Sequence, residues 1–530
     1  MSTPNTGLAA SVRPLLAELR EHPKLWALGL ALLCTYGFFI GPPAWNQNSR
    51  LALTRALVEQ GSVEIDDWEV TTGDKSFREG HFYSDKAPGV SLLSTLPYGL
   101  FVLERRLTSG DLPAVRVVPL DPAQTAADDL PTPEQRLPGD VLVYNPAQLT
   151  ALWLCRMFAV SLPTLFAGAL FYLLMLREFG GEAYARRWAT GATLLWLLAT
   201  PALGYSCGLY GHQLAADCLL AAFTLPILCP SENKTENRGE NKSKIEIRGL
   251  ALLVGGLLGW AVLSEYTAAV PVVLILVWVG WRRGLKFALW ACAGGAPWAL
   301  LLAAYHTWAF GSPLATGYDF VYLDAFAEGM AVAYGLGWPD PRVVGQLLFG
   351  SYRGLFYLSP VSLLAAWGLG LRLVQGDSAK PADSAGPGPL RRGDLLLALA
   401  IVLWYLGLNG GYYMWDGGAA LGPRHAVPML PFLALGFGPA LRRVPWATLV
   451  LGIVACAQIT LITAAGPEAP SHGNPLWAYA LPELFTDAPQ GSATTLGRLM
   501  GLPGPLSLAP LLLCWWLLVG GTGRADVPKE

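Results

Sequence analysis

Residues 87–103 read APGVSLLSTLPYGLFVL, an uncharged run that follows the polar lip GHFYSDK (80–86) and ends at Glu104, Arg105 and Arg106. Whether this run crosses a membrane or lies along one decides how everything after it is threaded. Runs of the same kind recur along the chain, for example LWALGLALLCTYGFFIG (25–41) and LALLVGGLLGWAVL (250–263). Of the 530 residues, 53% are hydrophobic and 14% are charged, against roughly 25% charged in soluble proteins. Apolar runs of about 20 residues are membrane spans on length grounds. The composition therefore defines an all-α polytopic membrane protein.

Lys and Arg are retained on the cytoplasmic side and orient the spans. Spans are expected at about 25–42, 148–176, 188–205, 212–229, 249–264, 266–281, 285–305, 354–372, 394–409, 425–441, 445–464 and 504–520, twelve in all, with both termini cytoplasmic. Most of the 36 Lys and Arg then fall in short inner segments, notably Lys234, Arg238, Lys242, Lys244 and Arg248. If 87–103 also spanned, that basic stretch would lie outside. The run is accordingly read as an interfacial helix in the outer leaflet surface, which Pro88, Pro97 and the charged end suit.

This threading gives a transmembrane core over 1–464 with a long first outer loop, 43–147, carrying interfacial helices. Residues 465–530 add an outer loop and the last span, with no separate soluble domain. The loop at 375–393 is a flexible linker by composition. Within the first outer loop, Leu53, Ala56 and Leu57 give a helical stripe and Gly61 a stop. The first apolar run begins near residue 25 and lacks a small-x-small site after it, so it is not expected to be a cleaved signal peptide. The eight cysteines mostly sit in apolar runs without paired or metal-ligand spacing. No His-x-x-x-His or Cys-x-x-Cys pattern occurs, so a structural zinc is not expected, while the sequence leaves the cofactor, including a divalent cation, open. A net charge of −2 gives nothing for nucleic acid to bind.

The unusual polar residues gather on the outer side, where His81, His212, His306, His425 and His472 fall. His81, Tyr83, Asp85 and Lys86 run straight into the 87–103 helix. Asp66, Asp67, Asp74 and Asp85 are the acids nearest the membrane lip, each a candidate general base for an acceptor hydroxyl or an ordinary loop acid; Asp66 and Asp85 are favoured as the base, with Asp74 in reserve. Lys86 stands at a helix start, where a cation opposes the dipole unless an anion lies between them. A lipid phosphate supplies that anion; a pair with Asp85 is the plainer alternative. Arg424 precedes the tenth expected span, and Gly417, Gly418 and Gly422 leave room for close approach of a ligand. Arg353 has the same placement at the eighth. Glu265 joins two spans of about sixteen residues, and an ionisable group at that depth lines a cavity or pairs. His212 and Asp217 fit packing better.

Taken together these segments resemble the polytopic glycosyltransferases of the GT-C superfamily, in particular bacterial enzymes of the protein O-mannosyltransferase and aminoarabinose-transferase type. The residues that carry the likeness are Lys86-Ala87-Pro88-Gly89, similar to the family's Lys/His-Pro-Pro-like motif, FGSPLATGY (310–318), SYRGLFYLSPV (351–361) and WDGG with GPRHAVPMLPFLALG (415–436). The resemblance covers about 25–445. It implies an inverting transferase that takes a sugar from a polyprenyl-phosphate donor on the outer, periplasmic or extracellular, face of the cytoplasmic membrane. A carboxylate would act as base, Lys86 with Arg424 or Arg353 would hold the phosphate, and His81, Tyr83, Glu265 and His212 would line the cavity. The family places a catalytic acid just beyond the first span. Here that place reads Asn46-Gln47-Asn48-Ser49-Arg50, so either Asp66, Asp74 or Asp85 has taken the role or the chemistry has been lost. The sugar and acceptor are not specified. The rival from another class is a membrane transporter or lipid flippase, which wants ionisable groups near mid-membrane in both halves; a non-catalytic scaffold is the third.

Overall fold

The computed structural model describes residues 23–41, 43–119, 140–180, 184–229, 240–376, 390–470, 473–485 and 494–520. Most of the 230–248 basic stretch, most of the 375–393 linker and His472 lie outside the described residues.

Seven helices are long and apolar enough to cross a membrane: Pro146–Phe179, Gly211–Leu228, Ile245–Ser264, Tyr266–Arg283, Leu285–Phe310, Arg392–Gly410 and Pro445–Ala465. Three shorter apolar helices, Lys24–Phe38, Val361–Gln375 and Gly504–Val519, accompany them. The other two expected spans are interrupted. The 188–205 segment is helical over Ala185–Leu198 and breaks before Thr200-Pro201. The 425–441 segment alternates short 3-10 and α turns from Arg424 to Arg443, with Pro428 and Pro431 inside. Proline removes a backbone donor and crowds the preceding turn. The broken backbone at 426–437 is buried throughout, as irregular chain at membrane depth must be.

Gly211–Leu228 is the central helix: every residue in it is buried. Its Asp217 carboxylate is satisfied locally, accepting from Thr164 Oγ1 at 2.7 Å and from Gln213 Nε2 at 2.9 Å. Arg156 is likewise buried and donates to the carbonyls of Tyr36, at 3.0 Å, and Phe39.

The segment between the first two spans is described over residues 43–119 and 140–147. The Trp45–Arg55 helix continues as a π turn over Ala56–Gln60 and stops at Gly61, where φ is +63°. Strands Lys75–Arg78 and His81–Ser84 pair antiparallel, with Arg78 opposite His81 across a turn at Glu79-Gly80, both at positive φ. The chain then enters the Gly89–Thr108 helix, whose Ser91 hydroxyl donates to Arg50 O at 2.8 Å. This helix is not among those long and apolar enough to span. A further hairpin pairs Val115–Pro119 with Asp140–Tyr144.

Two close approaches bring the site together. A Cβ at Gly89 would fall 2.7 Å from Leu263 O and 2.6 Å from Ser264 Oγ, and one at Gly211 would fall 2.4 Å from both Ser264 O and Glu265 Oε1. Glycine at both positions lets the starts of two helices press against the single extended residue, Glu265, between Glu240–Ser264 and the turn at Tyr266–Ala268.

Candidate functional site

Where these helix ends meet, a cavity of about 300 Å³ opens. Its wall carries three cations, Arg50, Lys86 and Arg424, and three carboxylates, Asp74, Asp85 and Glu265, with His212, His425 and a group of aromatics that includes Tyr266, Tyr318, Tyr412 and Tyr413. Lys86 and Arg424, 338 residues apart in sequence, thus share one wall.

The hairpin delivers the acidic side. Lys86 Nζ lies 3.0 Å from Asp74 Oδ2 and 3.1 Å from Asp85 Oδ2. Burial alone would lower the Lys86 ammonium, but Asp74 and Asp85 outweigh it and the net shift is upward. Burial pushes the Asp85 carboxyl up to about 6, with Lys86 pulling it back and Asp74 adding to it. The second Asp85 oxygen, Oδ1, is buried without a hydrogen-bond partner.

The Trp45–Arg55 helix supplies Arg50. Its Nη2 reaches Glu265 Oε1 at 2.9 Å and its Nη1 donates to Ala87 O at 3.1 Å, tying the helix entry at residue 87 to the Glu265 break. His212 Nδ1 sits 3.4 Å from the same Glu265 oxygen, and His212 Nε2 lies 3.4 Å from His425 Nδ1. Arg424 is different from the other two cations. Among the described residues no carboxylate lies within ion-pair distance of it, and its Nε is buried without a partner.

Of the residues singled out in the sequence, Asp74, Asp85, Lys86, Glu265, His212 and Arg424 therefore come together on one cavity, and Asp66, Asp67, His81, Tyr83 and Arg353 do not reach it. Asp66 sits at the exposed hairpin edge, where Oδ2 pairs with His81 Nδ1 at 2.7 Å and Oδ1 accepts from Phe82 N at 2.7 Å. The hydrogen bond to Asp66 raises the His81 imidazolium above its usual range, and Glu64 adds to it. Ligand atoms of Glu64, Asp66 and His81 lie within 4.8 Å of one another on this edge, outside the cavity. Tyr83 turns into a small apolar cluster against Phe310, at 5.8 Å between rings. Arg353 is fully buried and spends its guanidinium on backbone carbonyls, including Asp416 at 3.1 Å, Gly418 at 2.6 Å and Pro470 at 2.9 Å. It staples the glycine-rich 416–420 loop to 469–470, and so holds the stretch that leads into Arg424.

Arg50 and His425 are site residues that inspection by type passed over. Arg50 lies in a helix that is buried on every side from Asn46 to Arg55 despite its polar sequence, so apolar periodicity carried no signal for it. Glu468 was invisible: it comes from the late 465–485 segment and lies against Gln47, accepting from Gln47 Nε2 at 2.9 Å and from the Tyr210 hydroxyl. Burial pushes its carboxyl up to about 7, against the opposing pull of Tyr210, Gln47 and Arg424.

Fold and cavity together define a polytopic helical membrane protein with a charged pocket at the ends of its helices. Neither a family model nor a curated protein matches the sequence. Among solved structures, the chain is similar to ArnT from Cupriavidus metallidurans in the apo state, at 14% identity over 94% of this chain and 74% of that one, with a TM-score of 0.44. The same protein bound to undecaprenyl phosphate gives 14% identity, 94% and 72% coverage and a TM-score of 0.45. An Archaeoglobus fulgidus oligosaccharyltransferase tethered to an acceptor peptide gives 13%, 92% and 60%, with a TM-score of 0.43.

Proposed function

We propose that the protein is a membrane glycosyltransferase that moves a sugar from a polyprenyl-phosphate donor to an acceptor hydroxyl on the outer face of the cytoplasmic membrane, with both termini inside. The observation that carries this reading is Arg424: a cation in a cavity wall, with no carboxylate within ion-pair distance among the described residues, on the same pocket as Lys86. A polyprenyl tail must stay in the bilayer, so its phosphate is confined to the headgroup layer, the level at which helix ends and their cations stand. Arg424 offers a fork that matches phosphate oxygens, and Lys86 a point charge beside it.

In this reading Asp85 is the base. Its carboxylate removes the acceptor hydroxyl proton, the acceptor oxygen bonds to the anomeric carbon, and the bond from that carbon to the phosphate oxygen breaks. The electron pair leaves with the polyprenyl phosphate, whose added negative charge Lys86 and Arg424 stabilise. Asp74 holds Lys86 from the other side. An enzyme working outside has no supply of cytosolic nucleotide sugars, which favours a lipid-linked donor. Two measurements test the proposal: binding of short-chain polyprenyl phosphate to the protein in nanodiscs, and mass spectrometry of cell-envelope glycans and lipids with and without the gene. Absence of binding together with an unchanged envelope would reject it.

A further inference from the structure

Glu265, His212 and His425 form a line across the cavity wall that the phosphate contacts do not use. Arg50 Nη2 anchors Glu265 Oε1 at 2.9 Å, His212 Nδ1 lies 3.4 Å from that oxygen, and His212 Nε2 lies 3.4 Å from His425 Nδ1. All four residues line the same cavity.

The protons in this line follow from charge. A lone pair on His212 Nδ1 would face a carboxylate oxygen, acceptor against acceptor, so the hydrogen belongs on Nδ1. His212 Nε2 is then the acceptor, and His425 Nδ1–H must donate to it. That leaves His425 Nε2 with a lone pair; among the described residues this nitrogen is buried without a hydrogen-bond partner, and the Met414 carbonyl is the backbone acceptor beside the ring. A buried acceptor left unmet is costly. The nitrogen is poorly placed to take a proton instead: Arg50 and Lys86 are paired with Glu265, Asp74 and Asp85, but the adjoining Arg424 has no carboxylate within ion-pair distance among the described residues, and a further cation would stand beside it. Its partner must therefore be a neutral donor brought in by the ligand. The neighbouring wall is aromatic: the Tyr412 ring stands edge-on to His425 at 4.9 Å between centroids, and Tyr413 packs on Tyr412 at 4.9 Å.

We propose that His425 Nε2 is a specificity-determining acceptor that reads one hydroxyl of the donor's sugar, with Glu265 and His212 as the positioning residues that fix its tautomer. The inference rests on the donor reading above and adds to it what that donor must carry: an unmodified hydroxyl at one ring position, packed among tyrosines.

The test is binding, which needs no acceptor. Dissociation constants are measured in nanodiscs for polyprenyl phosphate and for a panel of polyprenyl-phosphate-linked hexoses and pentoses, each with its monodeoxy and O-methyl analogues. For the wild type, removing one particular hydroxyl is expected to weaken binding roughly 10- to 100-fold, the scale of one unmet buried hydrogen bond. In His425→Phe the parent and that analogue should bind within about threefold of each other, while polyprenyl phosphate itself binds as in the wild type. His425→Gln, which keeps an acceptor oxygen, should retain part of the discrimination, which separates loss of the acceptor from damage to the fold. Glu265→Gln should blur the preference, as a purely structural residue would not. A wild type indifferent to every hydroxyl, or a His425→Phe protein as selective as the wild type, overturns this inference and leaves the donor reading standing. Failure of polyprenyl phosphate and every donor to bind overturns both.

Discussion

Lys86→Met offers a test with a calculable size, because the side chain it removes stands between two carboxylates. Asp74 Oδ2 and Asp85 Oδ2 lie 3.0 and 3.1 Å from the Lys86 nitrogen, so they are at most about 6 Å apart. Their mutual repulsion, roughly 2.8 kcal/mol at about 6 Å and an effective dielectric near 20, is already present in the wild type, where Lys86 offsets it. With the ammonium gone that offset is lost, and at about 1.4 kcal/mol per pH unit a loss on this scale is worth as much as about two units on the carboxylate that gives way first. Asp85, already at about 6, is that group. The sign is fixed by its role: the base must be ionised, so activity rises with pH through the carboxyl's pKa. In the wild type the acid limb should lie near pH 6. In Lys86→Met it should move upward by as much as about two units, with turnover at neutral pH falling accordingly. The phosphate loses a charged contact as well, worth roughly 1.5–3 kcal/mol, or one to two decades in affinity. Arg424→Ala should cost a similar factor in affinity while leaving the acid limb nearer its wild-type place. The double variant should lose less than the product, since both side chains grip one group. The assays are a pH–rate profile and direct binding of polyprenyl phosphate. An unmoved acid limb in Lys86→Met, or effects that simply multiply, would refute the shared-phosphate geometry.

Asp85→Asn should reduce turnover by roughly 10²–10⁴-fold while polyprenyl phosphate still binds, whereas Asp66→Asn, at the exposed hairpin edge, should stay within about threefold; single-turnover kinetics separates them. Arg353→Lys should lower thermal stability measurably and fail to restore the wild-type state, because an ammonium cannot serve the carbonyls of Asp416, Gly418, Ala420 and Pro470 that the planar fork collects. For orientation, Asp340→Cys should react with a membrane-impermeant thiol reagent in intact cells and Glu240→Cys should not; labelling in the reverse sense would invert the topology.

Much of the architecture was legible because membrane spans announce themselves by length and apolarity, and ten of the twelve expected segments are apolar helices among the described residues. The two that differ are broken at proline-containing stretches, Thr200-Pro201 and Pro428 with Pro431. The site was legible where the sequence breaks its own pattern. Lys86 at a helix start, Glu265 between two spans and Arg424 after a glycine-rich loop are each costly in isolation, and the cost marked them. What did not show was where a side chain turns. Arg353 and Arg424 have the same sequence context, a cation before an apolar run, yet one is consumed by carbonyls and the other is left without a carboxylate. Asp66 and Asp74 are equally plausible loop acids until the hairpin register sends Asp74 toward Lys86 and Asp66 to the edge with His81. Such choices depend on contacts across hundreds of residues, which periodicity cannot carry.

Open polar groups occur elsewhere in the interior too, Gln213 Oε1 and Thr224 Oγ1 among them, and what marks the cavity is that several charged or ionisable ones share one wall. Arg282 and Trp278 both bond Asp394, at 2.6 and 3.0 Å, and Arg156 and Asp217 find their partners within the helices around them. Those groups stabilise packing and leave nothing over. Around the cavity the pairing stops short: Asp85 Oδ1, His212 Nδ1, Arg424 Nε and His425 Nε2 are all buried without a hydrogen-bond partner. Each such atom costs on the order of 1–3 kcal/mol if it stays unmet; His212 Nδ1 at least faces the Glu265 carboxylate at 3.4 Å, and the other three amount to a destabilisation that a ligand can relieve. The four also differ in kind, a guanidinium nitrogen, a carboxylate oxygen and two imidazole nitrogens. A single anion could satisfy the first, but only a ligand with an anionic end and hydroxyl-bearing parts could reach the first two and the last. A sugar on a lipid phosphate has that shape, and a bare lipid phosphate does not. The difference in affinity between the two, measured on the same protein, is therefore the quantity on which the whole assignment turns.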